Sequence, residues 1–455
     1  MTGGVGRSRG RTLAAVRGSP GPLGGRPAAA GCLVGICALL AYLPGLGRPF
    51  GWDESVTIRN FVATPSLLDP LRRQVEYNNH PLLSLIDHLL YSSTGSTSEV
   101  LMRLAPLLAV VVAVGLFTTE CTAWLGLVPG VTGGVLFAAN PLVAEAARTS
   151  RGYGLVVLFT VVSSIQLIRL VRSEEQARWR SAVYVVAVAL GVAAHLYMVL
   201  VVGAHVGYVV ASRVPLRAWV ARWAIGLASG GLWYIGLAST MLASPQRGSA
   251  RPELLGDVTL GLLGGGVVAL AIVPPLLSGL IGLRRDRAAL AVIGVVGAIV
   301  TLDALVLHPS YLFARFFVWA VPGVALVAAL GVAHVRVFVG AAGVACALMV
   351  AAVLPGYTQG DLGNKAAAAD VLGAQRRGAA VCADSPVPLE AYLDVVPAKA
   401  TADNLATCDV VVLLYEPSDY ARQAVSEGRP FQLELGGRTP GIIYSRQPLA
   451  PGPAG

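Results

Sequence analysis

Lysine is almost missing from this chain: of 34 basic residues, all but Lys365 and Lys399 are arginine. Charge of either sign is scarce, at 13% of 455 residues, while 55% are hydrophobic and the mean hydropathy is +0.67. A soluble fold of this length cannot bury so many apolar side chains. Several segments also exceed the roughly 18–20 uncharged residues that span a bilayer. The sequence describes a polytopic membrane protein. Cys-x-x-Cys and His-rich spacings are absent, which excludes the common zinc modules. The net charge of +9 would suggest an acidic partner in a soluble chain. Here many arginines collect in short loops between apolar runs, as the positive-inside bias predicts, and no nucleic-acid motif is present.

What is there is a ladder of apolar runs with few interruptions. Residues 1–28 form a basic, Gly- and Pro-rich arm expected to be disordered and cytoplasmic. Spans are expected at about 29–47, 99–120, 128–147, 153–171, 218–241, 258–283, 288–307, 311–334 and 337–355. The run 181–211 is flanked on both sides by arginines (Arg178 and Arg180 before it, Arg213 and Arg217 after it). If both flanks are cytoplasmic, the run crosses twice as two short helices turning near His195. His195 is then either a site residue or a loop histidine satisfied locally. The total is about eleven transmembrane helices in a mainly α protein, with the N-terminus cytoplasmic and the C-terminus outside.

Residues 358–455 change character. Strand-like runs Ala379–Cys382 and Asp409–Tyr415 and a helix-like Asp419–Glu427 suggest a small extracytoplasmic α/β domain. Cys382 and Cys408 are either a disulfide, which an extracytoplasmic space permits, or two buried thiols. Residues 29–357 would form the transmembrane catalytic domain, with 48–98 its first outer loop.

That loop is the first long polar interruption in the chain. Two adjacent carboxylates, Asp53 and Glu54, follow the first span closely, and charge so near a bilayer is costly enough to need a reason. Segments Ser55–Arg73 and Pro81–Tyr91 are too short and polar to span, and suit helices lying in the interface. With the expected topology, four motifs face the side of this loop: Trp52-Asp53-Glu54, Asn79-His80-Pro81-Leu82, Arg103-Leu104-Ala105-Pro106 and Ser150-Arg151-Gly152-Tyr153. A fifth, Tyr311-Leu312-Phe313-Ala314-Arg315-Phe316, opens the penultimate span from the same side.

This set, in this order, resembles the GT-C superfamily of membrane glycosyltransferases. Within it the pattern is most similar to family 39 and its bacterial relatives, the protein O-mannosyltransferase and lipid A aminoarabinose transferase branch. That pattern has an Asp-Glu pair after the first span and a His-Pro-Pro-Leu segment. Arg-Leu-Pro opens the second span, an Ala-Arg-x-Tyr segment the fourth, and Arg-Tyr precedes a Pro-containing late span. Here Leu82 replaces the second proline, Asn79 stands where an acidic residue often precedes the histidine, and Phe316 replaces the tyrosine after Arg315.

The resemblance implies transfer of a sugar from a polyprenyl phosphate to an acceptor hydroxyl outside the membrane, with inversion. Mannose is the sugar it suggests first, with arabinose open, and the acceptor would be a protein, lipid or polysaccharide. A lipid phosphate leaves without a general acid, so one carboxylate suffices as base, and the resemblance gives that role to Asp53. The plain alternative is a carboxylate favoured at a helix N-terminus. Glu54 and His80 would bind substrate or hold a divalent cation (Mg, Mn or Zn), unless His80 only caps its helix. Arg103, Arg151 and Arg315 would grip the lipid phosphate, since guanidinium groups match phosphate oxygens two at a time. Arg148 is an alternative to Arg151, and snorkelling to headgroups is the default for any one of them. Tyr153 would line the same site or sit in the interfacial belt. A transporter or flippase of a lipid-linked substrate, or a non-catalytic scaffold, are the other classes. Against the first, the ionisable residues gather in loops at one face, and no inverted repeat is evident.

Overall fold

A computed structural model describes residues 25–72, 79–172, 178–238, 253–284, 286–302, 314–335, 337–353, 362–383, 389, 391–393, 395–399, 407–413, 432–434 and 442–445. Contacts divide the chain into two compact units. The first comprises Met1–Pro44, His80–Leu83 and Arg103–Leu354; the second comprises Gly45–Asn79, Ser84–Met102 and Pro355–Gly455.

The first unit is helical. Its elements are α1 (Gly25–Tyr42), α4 (Leu104–Leu125), α5 (Leu127–Ala139), α6 (Pro141–Ala147), α7 (Tyr153–Arg172), α8 (Arg178–Ala194) and α9 (Met198–Ala211). There follow α10 (Leu216–Gly231), α11 (Glu253–Leu263), α12 (Gly266–Leu283), α13 (Arg287–Leu302), α14 (Val321–His334) and α15 (Phe338–Val353). Two further helices, α2 (Trp52–Thr57) and α3 (Pro81–Thr94), lie between α1 and α4 in the chain. Each of the eleven expected spans is met by a helix or helix pair. The run 181–211 breaks at residues 195–197, near the His195 turn expected from the sequence.

Four helical segments among the described residues are long and apolar enough to cross a bilayer: Gly25–Gly45, Leu104–Leu125, Tyr153–Arg172 and Ala314–His334. The count is up to six if each bent pair is one span, and Met198–Ala211, Ala289–Leu302 and Phe338–Ala351 are shorter apolar helices. The chain is a multi-pass membrane protein of mainly α class.

Small residues set the helix spacing. Lipid tails give apolar helices little reason to associate, so close backbone approach must supply the attraction. A Cβ on Gly31 of α1 would run into Thr119 and the Gly115 carbonyl of α4, so those two helices meet where neither carries bulk. α5 and α6 are bent by 64° at Asn140, which caps α6 by accepting from the Leu142 amide at 2.9 Å. The same side chain donates to the Gly261 and Leu262 carbonyls at 3.2 and 3.1 Å. One amide thus satisfies the open ends of two helices in a place where water cannot.

The second unit joins the first outer loop to the tail. Helix α16 (Leu362–Arg376) and strands β1 (Val381–Ala383), β2 (Ala398–Lys399), β3 (Val410–Leu413), β4 (Gln432–Glu434) and β5 (Ile442–Ser445) belong to it. The sheet order is β2-β1-β3-β5-β4, parallel on either side of β1 and antiparallel beyond β3. Ala368, Val371 and Ala374 of α16 pack against Val381, Ala383, Val410 and Val412. Cys382 and Cys408 are disulfide-bonded. From the loop, Phe50 stacks on Tyr392 with ring centres 5.9 Å apart, and the Tyr392 hydroxyl donates to Glu99. The expected strands are present, slightly shifted. The helix expected over Asp419–Glu427 lies outside the described residues.

Candidate functional site

The first turn of α2 carries Asp53 and Glu54, both in the second unit. Glu54 is buried, and its Oε2 accepts a hydrogen bond from the Gly51 amide at 3.0 Å, closing the helix's open N-terminus. Asp53 is half-buried beside it, its backbone carbonyl holding the Thr57 hydroxyl at 2.9 Å. A loop so rich in carboxylate needs anchoring, and Asn79 supplies part of it. Its amide donates to the Pro70 carbonyl at 2.7 Å and its oxygen accepts from the Ser84 hydroxyl at 2.6 Å. An acidic side chain at position 79 could not make the first of these bonds when ionised. That gives the departure from the family pattern a local structural reason.

The remaining predicted residues lie in the first unit. Arg103 heads α4 and is fully buried. Arg148 directs its Nε to the Ala144 carbonyl of its own helix at 2.9 Å, which makes it a helix-end residue. Arg151 lies in the tight connection between α6 and α7 with 2% exposure. Next to it, Gly152 is obligatory. A Cβ there would overlap the Ala194 carbonyl and come within 2.9 Å of His80 Nδ1.

His80, Arg151, Tyr153 and Arg315 come together. The His80 ring centre lies 5.6 Å from that of Tyr153 and 4.9 Å from that of His195. Tyr153 and His195 are 5.1 Å apart, and Phe316 lies 5.9 Å from each. Tyr197 closes the group at 5.2 Å from His195 and 5.4 Å from Phe316. The Arg315 guanidinium carbon sits 5.9 Å from the Tyr153 ring centre, a cation–π arrangement. Phe316, at the family's tyrosine position, supplies a ring face without a hydroxyl. Residues Tyr311 to Phe313 of that motif lie outside the described residues.

Burial pushes His80 well below the ordinary imidazole range, with Arg151, His195 and Arg315 acting the same way against a smaller opposing pull from the Ala194 carbonyl. Burial, then Arg151 and Arg315, bring His195 down to about 3. Both rings are neutral at pH 7, and their hydrogen bonds fix the tautomers. His80 Nδ1–H donates to the Ala194 carbonyl at 3.1 Å, leaving a lone pair on Nε2. His195 Nδ1 accepts from the Tyr197 amide at 3.1 Å, so its proton is on Nε2. His195 is thus locally satisfied and also a member of the cluster; Tyr197 has no counterpart among the motifs.

These geometries belong to a known fold. Two crystal structures of ArnT from Cupriavidus metallidurans are similar to this chain. The apo form matches with a TM-score of 0.61 over 91% of this chain and 97% of that one. The form bound to undecaprenyl phosphate matches with 0.59 over 93% and 99%. The chain has the ArnT fold. Identity to each ArnT structure is 14%, no family model matches the sequence, and no curated protein does. The fold expected from the GT-C resemblance is therefore present, ArnT-like along almost the whole chain.

Among the described residues, no group of three or more His, Cys, Asp or Glu side chains is placed to hold a metal ion. The imidazole donors at His80 and His195 feel two guanidinium charges, which oppose a cation. Of the two expected metal ligands, His80 belongs to the first unit and Glu54 to the second. The cluster fits an anion flanked by apolar and hydroxyl-bearing matter.

Proposed function

We propose that this protein is an inverting glycosyltransferase that moves a sugar from a polyprenyl-phosphate donor to an acceptor hydroxyl on the extracytoplasmic face. The observation that carries this reading is the buried cluster of arginines, neutral imidazoles and aromatic rings in an ArnT-type fold. Arg151 and Arg315 supply fixed positive charge beside ring faces, and Arg103 is the third candidate for the phosphate. A donor phosphodiester arrives with one negative charge. When the bond from the anomeric carbon to the phosphate oxygen breaks, the electron pair stays on phosphate, which becomes a dianionic monoester. Guanidinium groups bind the second state more strongly than the first, which is the differential binding that lowers a barrier.

The acceptor hydroxyl attacks the anomeric carbon from the face opposite the phosphate and must lose its proton as the new bond forms. Asp53 is the proposed base: a half-buried carboxylate in the first turn of α2, next to a glutamate already engaged in capping. The sugar is proposed as mannose, with arabinose the next candidate. The reading is tested with membranes containing the protein and radiolabelled undecaprenyl-phosphate sugars. Asp53→Asn is expected to lower transfer by about 10²–10⁴-fold at normal expression. Undiminished transfer by that variant would remove Asp53 as the base, and no transfer from any donor would remove the enzyme reading.

A further inference from the structure

Two apolar cores of the second unit meet at Tyr392. One lies in the tail, where Leu389 and Leu393, on either side of Tyr392, are buried with Val381, Ala383, Val410 and Val412. The other lies in the first outer loop and consists of Phe50, Ile58, Val62 and Met102. The Tyr392 side chain packs against both. A short turn holds it, its amide donating to the Leu389 carbonyl at 3.0 Å. The ring stacks on Phe50. The hydroxyl adds what a phenyl ring cannot, an acceptor and a donor on one atom. It accepts from the Phe50 amide at 2.6 Å and donates to Oε1 of the buried Glu99 at 3.2 Å.

Those bonds bear on α2. Phe50 lies just before Trp52–Thr57 and Ile58 just after it, and both are 1% exposed in the same core. Asp53 sits between these two anchors, in the first turn. The entry of the chain into α2 is therefore set at Phe50, whose ring and amide are both held by Tyr392. Met102 follows Glu99 in the next helical turn and belongs to that core too, so one hydroxyl joins the approach to α2 to a second segment of the loop. We infer that Tyr392 is a positioning residue for the proposed base: through Phe50 it fixes the entry to α2 and with it the place of the Asp53 carboxylate. The inference rests on the glycosyltransferase reading above and gives the tail a part in the reaction without contact to a reacting atom. Without the hydroxyl the Phe50 amide loses this bond and the head of α2 can shift, and positioned reactions are sensitive to such shifts.

The test uses membranes containing the full-length protein at matched levels, with radiolabelled undecaprenyl-phosphate mannose and undecaprenyl-phosphate arabinose as donors. Tyr392→Phe keeps the ring and removes both hydroxyl bonds. It is expected to lower the maximal rate about tenfold, with KM for the donor within about twofold and resistance to added protease unchanged. The steady KM follows because Arg103, Arg151 and Arg315, the phosphate candidates, belong to the first unit. Asp53→Glu, which itself displaces the carboxylate by a methylene, supplies a second background. There Tyr392→Phe should cost less than about threefold, because a base already out of place has little positioning left to lose. Equal losses in both backgrounds, or a loss that tracks falling protease resistance or rising KM, would make Tyr392 merely structural and overturn the inference. A wild-type rate in Tyr392→Phe overturns it as well, and in each of these cases the enzyme reading stands. Undiminished transfer by Asp53→Asn removes the base and this inference together. Absence of transfer from either donor by the wild type removes the enzyme reading with them.

Discussion

Gly152 shows how little room the candidate site allows at the scale of one residue. One added carbon would collide with the Ala194 carbonyl and crowd His80 Nδ1. Gly152→Ala must therefore separate the α6–α7 connection from the end of α8, moving Arg151, Tyr153 and His80 relative to one another. Displacements near 1 Å cost roughly 10²-fold in positioned reactions, and a loss of that order in kcat/KM is the expected outcome. Transfer at the wild-type rate would show that the His80–Ala194 bond is dispensable. The sequence makes Arg151 and Tyr153 visible because they stand in a motif. It does not reveal what Gly152 is for, because the atom it avoids belongs to a residue 42 positions away in a different helix. Tyr197 is hidden for the same reason, and His195, visible as the turn between two short helices, could not be assigned between a site and a local role until its neighbours were known.

At the scale of elements, the helices follow from hydropathy, and the break within 181–211 falls where arginines on both flanks led it to be expected. What hydropathy cannot supply is how polar atoms inside the bundle are satisfied. Tyr184 of α8 illustrates this. Its hydroxyl accepts from Trp223 Nε1 at 2.9 Å and shares a hydrogen bond with His205 Nδ1 at 3.0 Å, while His205 Nε2 shares one with the Ser164 hydroxyl at 3.1 Å. Helices α7, α8, α9 and α10 are thereby joined through one chain of hydrogen bonds, with no free water to substitute for a lost member. Tyr184→Phe keeps the ring against Trp219 but leaves a buried indole N–H and an imidazole nitrogen unmet. The expected loss is about 1–3 kcal/mol, seen as a lower unfolding temperature of the detergent-solubilised protein. An unchanged midpoint would mean that the network is not maintained in the membrane-extracted state.

At the scale of the whole molecule, a linear reading separates a membrane domain from a tail, whereas contacts place the first outer loop in one compact unit with that tail. No local pattern announces this, because it depends on Phe50 meeting Tyr392 more than 300 residues later. The arrangement ties the carboxylate-bearing loop to a sheet that a disulfide braces. Cys382 and Cys408 are 26 residues apart, and closing a loop of that length stabilises by about 3 kcal/mol in the chain-entropy account. Such a bond persists where the compartment is oxidising, which argues for an extracytoplasmic tail. Two measurements on cells producing the protein follow from this. Alkylation of denatured protein without reductant should spare Cys382 and Cys408 and modify both after reduction. A C-terminal alkaline phosphatase fusion, active only outside the cytoplasm, should be active. Cys382→Ser should then expose the second unit to protease added outside the cell, and because Asp53 lies in that unit, transfer should fall with it. Intact resistance with full activity would mean that the loop and the tail hold their shape without the bond. An inactive fusion would place the tail on the cytoplasmic side and remove Asp53 from the face where the acceptor is proposed to arrive.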